Sequence, residues 1–220
     1  MRKIKKGILV FLLAVSCILA GCKQEYSENK TAKDTNQILS EYGNGCDVFQ
    51  QGETFEQDGM TITVNSSRIT KQRDGWDNII DFFPEEDADG MIIDDSCYFV
   101  VNMTIHVDDK EKYPLSIFGF SAVCLDETTG EYVDGSTIVS STYYNTLPQD
   151  IRDSDNLMVD YPKDGEDLVD TDFIFALSDE SNVKDGNLYC LKVQSENDTS
   201  QSACDKDLAA VVELKPDIEL

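Results

Sequence analysis

Alternating apolar and polar residues are the dominant pattern of this chain from about residue 46 onward. In the clearest segment every second residue is apolar, from Cys97 to Val107. A period of two is typical of a strand that has one face against a core. Turns rich in Gly, Asp and Asn separate most such segments. Strands are predicted at 60–64, 97–107, 115–125, 132–133, 137–139, 172–177, 188–193 and 208–214.

The regular spacing of these segments predicts an all-β fold, an antiparallel sandwich of about seven to nine strands. β-Branched and aromatic residues fill the predicted strands, which agrees with this fold class. One insertion, at about 71–95, breaks the rhythm between the first strands. A short helix is predicted inside it, at 75–83, because apolar residues recur there at helical spacing before Pro84: Trp76, Ile79, Ile80 and Phe83.

The first 22 residues differ from the rest of the chain. A basic start, residues 1–6, precedes an almost wholly apolar run at 8–20. Thirteen residues make a helix of about 20 Å, which is too short for a bilayer core of about 30 Å. A basic start, a short apolar run and small residues at its end are the layout of a secretory signal.

The end of this segment, Leu19-Ala20-Gly21-Cys22, resembles the lipobox of bacterial lipoproteins. The resemblance implies a signal peptide at 1–21 and a diacylglyceryl group on the sulfur of Cys22, the first mature residue. Two acyl chains hold a protein stably at a membrane, so we expect a lipid-anchored protein on the extracytoplasmic face of the cell membrane. The alternatives are an ordinary cleaved signal or an uncleaved apolar tail, and the envelope type stays open.

The amino-acid composition limits the kinds of partner that the protein can bind and indicates where the folded domain begins. The 220 residues include 18 Lys and Arg against 43 Asp and Glu, a net charge of −25. This charge excludes nucleic acid as an expected partner, because binding phosphates needs basic surface. Residues 22–45 are polar with few large apolar side chains, so we predict a flexible tether there, with a short helical turn at 36–42. The folded domain is predicted at 46–220.

A second resemblance concerns this folded part. Gly52-Glu53-Thr54-Phe55, the strand from Met60, the segment 98–105, and Pro162-Lys163-Asp164-Gly165-Glu166 before Phe173 resemble an Ig-like domain of unknown function. That domain is common on Gram-positive lipoproteins. The resemblance covers about 50–215 and implies an Ig-like β-sandwich, from which this chain departs by its insertion at 71–95. No catalytic residue is defined for the family, so none is carried over.

Five cysteines remain after the predicted lipidation, and they carry no zinc-binding spacing. An odd number leaves at least one thiol free in an exported protein. A disulfide between Cys190 and Cys204 is sterically allowed if their strands form a hairpin. Closing that 15-residue loop would stabilise the fold by about 3 kcal/mol.

The acidic part of the insertion aligns in part with a calcium loop. Glu85, Asp87 and Asp89 occupy the first, third and fifth places, and Asp95 lies beside the twelfth, where Ser96 stands instead of a carboxylate. The alternative is a solvated acidic loop, which is common in so acidic a chain. A weak calcium site is therefore one hypothesis for these four residues, and no other cofactor is expected.

Aromatic and imidazole side chains are the remaining candidates. Trp76, Tyr143 and Tyr144 are candidate ligand contacts for a protein or glycan, with packing against the sandwich as the alternative. His106 is the sole histidine and lies beside Asp108, but no Gly-x-Ser-x-Gly motif accompanies it. We expect it to be an exposed strand residue.

These observations favour a membrane-anchored surface lipoprotein that acts as a non-catalytic binding or accessory module. A second hypothesis is a sensor or stabiliser that associates with other envelope proteins. A third is a hydrolase that works with carboxylates alone. A deep pocket with two facing acids of shifted pKa would favour the enzyme, whereas an exposed recognition surface would favour binding.

Overall fold

The computed structural model describes residues 34–57, 59–73, 85–108, 120–133, 167–194 and 208–220, all within the unit Lys33–Leu220. The predicted signal peptide, Cys22 and the start of the tether lie outside these residues. So do the predicted helix at 75–83 and the predicted strand at 137–139. The described elements are α1 (Thr35–Tyr42), β1 (Asp47–Gln50), β2 (Thr54–Gln57), β3 (Met60–Thr70), β4 (Cys97–Val107), β5 (Phe120–Asp126), β6 (Leu168–Leu177), a 3-10 helix (Glu180–Asn182), β7 (Asn187–Gln194), β8 (Leu208–Leu214) and β9 (Asp217–Glu219).

The strands form two sheets. Sheet A has the order β1-β8-β7-β5, and sheet B has the order β2-β3-β4-β6, with β9 beside β3. Within the described residues, β1 pairs with β8 and β9 with β3 in parallel, and the other pairs between strands are antiparallel. The prediction of an all-β sandwich is confirmed. The prediction that all strands pair antiparallel is not confirmed, because the first and last described strands, β1 and β9, pair in parallel with their neighbours.

The core lies between the inner faces of the two sheets. β4 supplies the apolar residues predicted from its alternation, and Phe99, Val101 and Met103 among them are fully buried. Phe120 of β5 meets Phe173 of β6 across the sandwich, with ring centroids 5.3 Å apart at 66°. Such edge-on aromatic pairs add to the stabilisation from burial alone.

A β-bulge explains why β3 is longer than predicted. The register between β3 and β4 shifts between Val64 and Ser66, so that Asn65 is an extra residue. Beyond the bulge the buried positions change parity, to Ser67 and Ile69. Because a bulge reverses the alternation that marks a strand, the pattern predicts an end at Val64.

The helix α1, Thr35–Tyr42, confirms the short helical turn predicted at 36–42 and lies within the predicted flexible tether. Asp34 caps it by accepting a hydrogen bond from the Gln37 amide at 2.8 Å, as N-cap residues do. Ile38 and Leu39 are buried against the outer face of sheet A, in a cluster with Val123, Leu125, Leu188, Cys190 and Val211. Residues 34–45 therefore belong to the folded domain, and the tether prediction is wrong for them. The burial of two adjacent apolar residues, Ile38 and Leu39, is sufficient to hold this segment against sheet A.

Candidate functional site

The outer face of sheet B is divided into an apolar half and a polar half. In the apolar half Tyr98, Val100 and Ile174 are buried although they point away from the core. Ile92 of the insertion packs on them and is itself 2% exposed. The insertion therefore covers one half of the face with an apolar contact and leaves the other half uncovered by any of its described residues.

An ionic cluster fastens the insertion to the sheet. Glu86 pairs with Arg73, whose Nη2 lies 2.9 Å from Oε2 and whose Nε donates to Oε1 at 3.0 Å. The hydroxyl of Tyr98 also donates to Glu86. Burial, followed by this hydrogen bond to a carboxylate, raises the pKa of Tyr98 above its usual range. The phenol stays protonated and acts as a fixed donor under the insertion.

The polar half, which we call the polar face, consists of five side chains on three strands. Two bulges place them together. One is at Asn65 on β3, and the other is on β6, where Val169 and Asp170 lie opposite the single residue Thr104. Asp170 has φ of +49°, a left-handed conformation that is uncommon outside glycine and that Asp tolerates better than most residues. The polar face comprises Asn65, Asn102, Thr104, Asp170 and Asp172.

Asn65 is the centre of the hydrogen-bond network on the polar face. Its Nδ2 carries two protons and lies within hydrogen-bond distance of three acceptors, Asn102 Oδ1 at 2.9 Å, Thr104 Oγ1 at 3.0 Å and Asp170 Oδ1 at 3.2 Å, which therefore share them. Asn102 in turn donates to Asp172 Oδ1 at 2.8 Å. These contacts link β3, β4 and β6 across the outer face. They hold the side chains in fixed positions, which reduces the entropy that a ligand would cost on binding.

The polar face has an acidic edge and one cationic side chain. Arg68 lies 3.6 Å from Asp172, between their Nη2 and Oδ2 atoms. At the far end of β4, His106 contacts Asp167 through Nδ1 and lies 3.3 Å from Asp108 through Nε2. His106 is exposed, as predicted. The surface therefore offers both hydrogen-bond donors and acceptors together with an excess of negative charge.

The carboxylates of the predicted calcium loop do not converge. Asp87 Oδ1 accepts from the backbone amides of Asp89 at 2.9 Å and Met91 at 3.0 Å. Glu86, rather than Glu85, turns inward to Arg73. The described residues contain no group of three or more His, Cys, Asp or Glu placed to hold a metal ion. The predicted set Glu85, Asp87, Asp89 and Asp95 is not among such groups.

The remaining predicted site residues have different outcomes. Cys190 is fully buried beneath α1, where its thiol is free, and the predicted bridge to Cys204 stays a prediction because Cys204 lies outside the described residues. The pKa of Cys190 is raised, mainly by burial, so the thiol is unreactive. Cys204, Cys22, Trp76, Tyr143 and Tyr144 lie outside the described residues.

Only some residues of the polar face could have been recognised from the sequence. Asn102, Thr104 and His106 follow one another on the polar parity of the predicted strand, and so could have been grouped. Asn65 and Asp170 could not, because their positions depend on bulges. A bulge follows from the pairing of two strands and leaves no alternation of its own.

The fold defines the chain as an all-β, two-sheet sandwich protein. A solved structure of an uncharacterized β-sandwich protein from Clostridium difficile 630 is similar at 13% identity and a TM-score of 0.39, over 77% of this chain and 95% of that one. A structure from Bacillus subtilis strain 168, named "putative lipoprotein (ycdA)", is similar at 12% identity and a TM-score of 0.34, over 76% of this chain and 38% of that one. Similarities at this level support no statement about function.

No protein-family model matches the sequence, and no curated protein matches it at the significance threshold applied. Among the described helices, none has the length and apolar character needed to cross a membrane.

Proposed function

We propose that this protein is a lipid-anchored surface lipoprotein that acts as a non-catalytic binding module through its polar face. The lipobox-like segment ending at Cys22 supports the anchor. The observation that supports binding is the pair of bulges that place Asn65 and Asp170 beside Thr104. Bulges are enriched at functional surfaces, where they redirect side chains.

The charge on the polar face favours a neutral hydroxyl-rich ligand or a cationic ligand. Asp170 and Asp172 outnumber the single Arg68, and the whole chain is strongly acidic. An anionic ligand would be repelled by this field. Amide and hydroxyl side chains supply both donors and acceptors, which suits a glycan or a basic peptide segment.

Two of the described carboxylates have a lowered pKa. Hydrogen bonds from Thr129 and Thr128 lower the pKa of Asp126, and those from Ser181 lower the pKa of Asp179. A general acid needs the opposite shift. Neither Asp126 nor Asp179 therefore suits the part of general acid in the carboxylate hydrolase considered from the sequence.

Titration followed by amide NMR tests the binding surface. The lipid-free mature protein is titrated with hexalysine and, separately, with cellohexaose, and shifts are mapped onto β3, β4 and β6. We expect one of the two probes to perturb the polar face and Asn65→Ala to weaken its binding by about tenfold, about 1.4 kcal/mol. Thr128→Ala, in an exposed turn after β5, is the matched control. If neither probe shifts the polar face, this binding proposal is wrong.

The anchor is tested separately by mass spectrometry of the mature N-terminus. We expect a diacylglyceryl mass on Cys22 and release of Cys22→Ala from the membrane fraction. A mature wild-type protein with an unmodified cysteine, or an intact leader, would contradict the anchor while leaving the binding proposal untouched.

A further inference from the structure

Lys192 is a buried cation on the outer face of sheet A, on the opposite side of the sandwich from the polar face. It lies on β7 in register with Val211 of β8 and Ser121 of β5. The residue is 7% exposed. Lysine rarely reaches this degree of burial unless its ammonium group has a partner.

Two tyrosines surround the ammonium group. Lys192 Nζ lies 5.7 Å from the centroid of the Tyr42 ring, close enough for a cation–π contact. It also donates to the Tyr132 hydroxyl at 3.4 Å. The two tyrosine hydroxyls are hydrogen-bonded to each other, and their rings meet edge to face with centroids 5.4 Å apart. Tyr132 is 47% exposed, so the group opens to solvent on that side.

No carboxylate of the described residues forms an ion pair with Lys192. The other partly buried cations each have one: Arg68 with Asp172, Lys71 with Glu180, and Arg73 with Glu86. This difference stands out in a chain with 43 acidic residues. A buried ammonium without a counter-charge is destabilising, and phenols with a ring face compensate only in part.

We propose that Lys192, Tyr42 and Tyr132 form a binding site for a carboxylate group supplied by a ligand. The carboxylate would accept hydrogen bonds from Lys192 Nζ and from the Tyr132 hydroxyl, and its charge would neutralise the ammonium. The single positive charge of the Lys192 ammonium group equals the single negative charge of a carboxylate. A dianionic phosphate would bring a second negative charge that neither tyrosine compensates. This site is independent of the polar face.

NMR titration with sodium acetate, using the full mature chain, tests the site. We expect saturable shifts at Lys192 and Tyr132 in the millimolar range, and none with acetamide, which has the same shape but no charge. Lys192→Met keeps the length of the side chain and should abolish the shifts. Tyr132→Phe should weaken binding by about threefold to tenfold, as expected for one lost hydrogen bond. Lys215→Met, at an exposed position, should bind acetate as the wild type does.

The source of the carboxylate is distinguished with acetyl-Ala-Ala in its free-acid and amidated forms. Tighter binding of the free acid than of acetate would assign the end of a peptide chain, and equal binding would assign a small carboxylate. Acetate shifts that persist in Lys192→Met, or equal shifts from acetamide, would overturn the proposal. Lys192→Met should unfold at the same denaturant concentration as the wild type or a higher one, because it removes a buried charge.

Discussion

The two outer faces of this sandwich are covered in different ways. On sheet A, α1 docks Ile38 and Leu39 into an apolar cluster. On sheet B, a non-helical stretch of the insertion buries Ile92 over Tyr98 and Val100 and leaves the polar face uncovered by its described residues. The inner faces therefore define the fold, whereas the two outer faces differ in how much of their surface the described residues cover.

The largest expected effect is on stability, and it compares α1, which covers sheet A, with the insertion, which covers part of sheet B. Leu39→Ala should lower the free energy of unfolding by about 2–5 kcal/mol, since it leaves a cavity under α1. Leu39 belongs to a cluster of seven buried residues, and Ile92 to one of four. Ile92→Ala should therefore cost less than Leu39→Ala. Urea denaturation of both variants measures the order, and the reverse order would show that the insertion is the more important cover.

The next effect concerns the ionic fastening of the insertion. Tyr98→Phe should destabilise the protein by about 1–3 kcal/mol, because Glu86 loses a donor in a partly buried place. Tyr189→Phe is the matched control, since the Tyr189 hydroxyl contacts neutral groups, namely the backbone of Lys184 and the side chains of Asn187 and Cys124. The control should cost less. Denaturant unfolding gives both values, and equal losses would mean that the charge of Glu86 contributes nothing to the contact.

A third prediction uses pH to separate the core from the outer faces. Burial raises the pKa of Cys124 to about 11 and that of Cys97 to about 12, from 9.0 for an ordinary thiol. Because the unfolded chain releases these protons first, the stability that the two buried thiols contribute is fully present below pH 9.0 and is lost as the pH rises through about 11 for Cys124 and about 12 for Cys97.

The test is a series of unfolding measurements across this alkaline range. Cys124→Ala should lose stability less steeply than the wild type between pH 9.0 and about 11, and the two proteins should show parallel curves below it. Identical slopes above pH 9.0 would show that Cys124 ionises as readily in the folded protein as in the unfolded chain.

The smallest effect concerns the polar face. Asp170→Gly should change stability by less than about 0.5 kcal/mol, because relief at positive φ offsets the lost hydrogen bond from Asn65. Asp170→Val should cost about 1–3 kcal/mol, since a β-branched residue is strained there. Thermal unfolding of the pair measures the difference. Equal stability of the two variants would indicate that residue 170 leaves the left-handed conformation.

The strands that the sequence predicts best are those with regular alternation or a continuous apolar run. The bounds of β4, Cys97–Val107, and of β8, Leu208–Leu214, agree with the prediction. The short strands β1, β2 and β9 contain too few residues for a period to show. All three residues of β9 are exposed, and the strand is held by parallel pairing to the second half of β3, a contact that local pattern cannot reveal.

Burial outside the core is the part that could not be predicted from the sequence. Tyr98 and Val100 lie on the parity of β4 that faces away from the core, yet they are buried because the insertion returns over them. Likewise, Ile38 and Leu39 look like isolated apolar residues in a polar tether. In both places the contact joins segments distant in sequence, so neither periodicity nor composition contains it. The polar face could not be predicted for the same reason, because its residues come from three strands that are distant in sequence.

The parallel pairing of β1 with β8 also affects how the domain resists mechanical force. Four successive residues, Asp47 to Gln50, are in register with Ala210 to Glu213. Since the two strands run in the same direction, tension applied between the beginning of β1 and the end of β8 pulls along the strands. The hydrogen bonds between them are then loaded together in shear, rather than being unzipped one after another. A pull between these two points would meet its main resistance at the edge of sheet A.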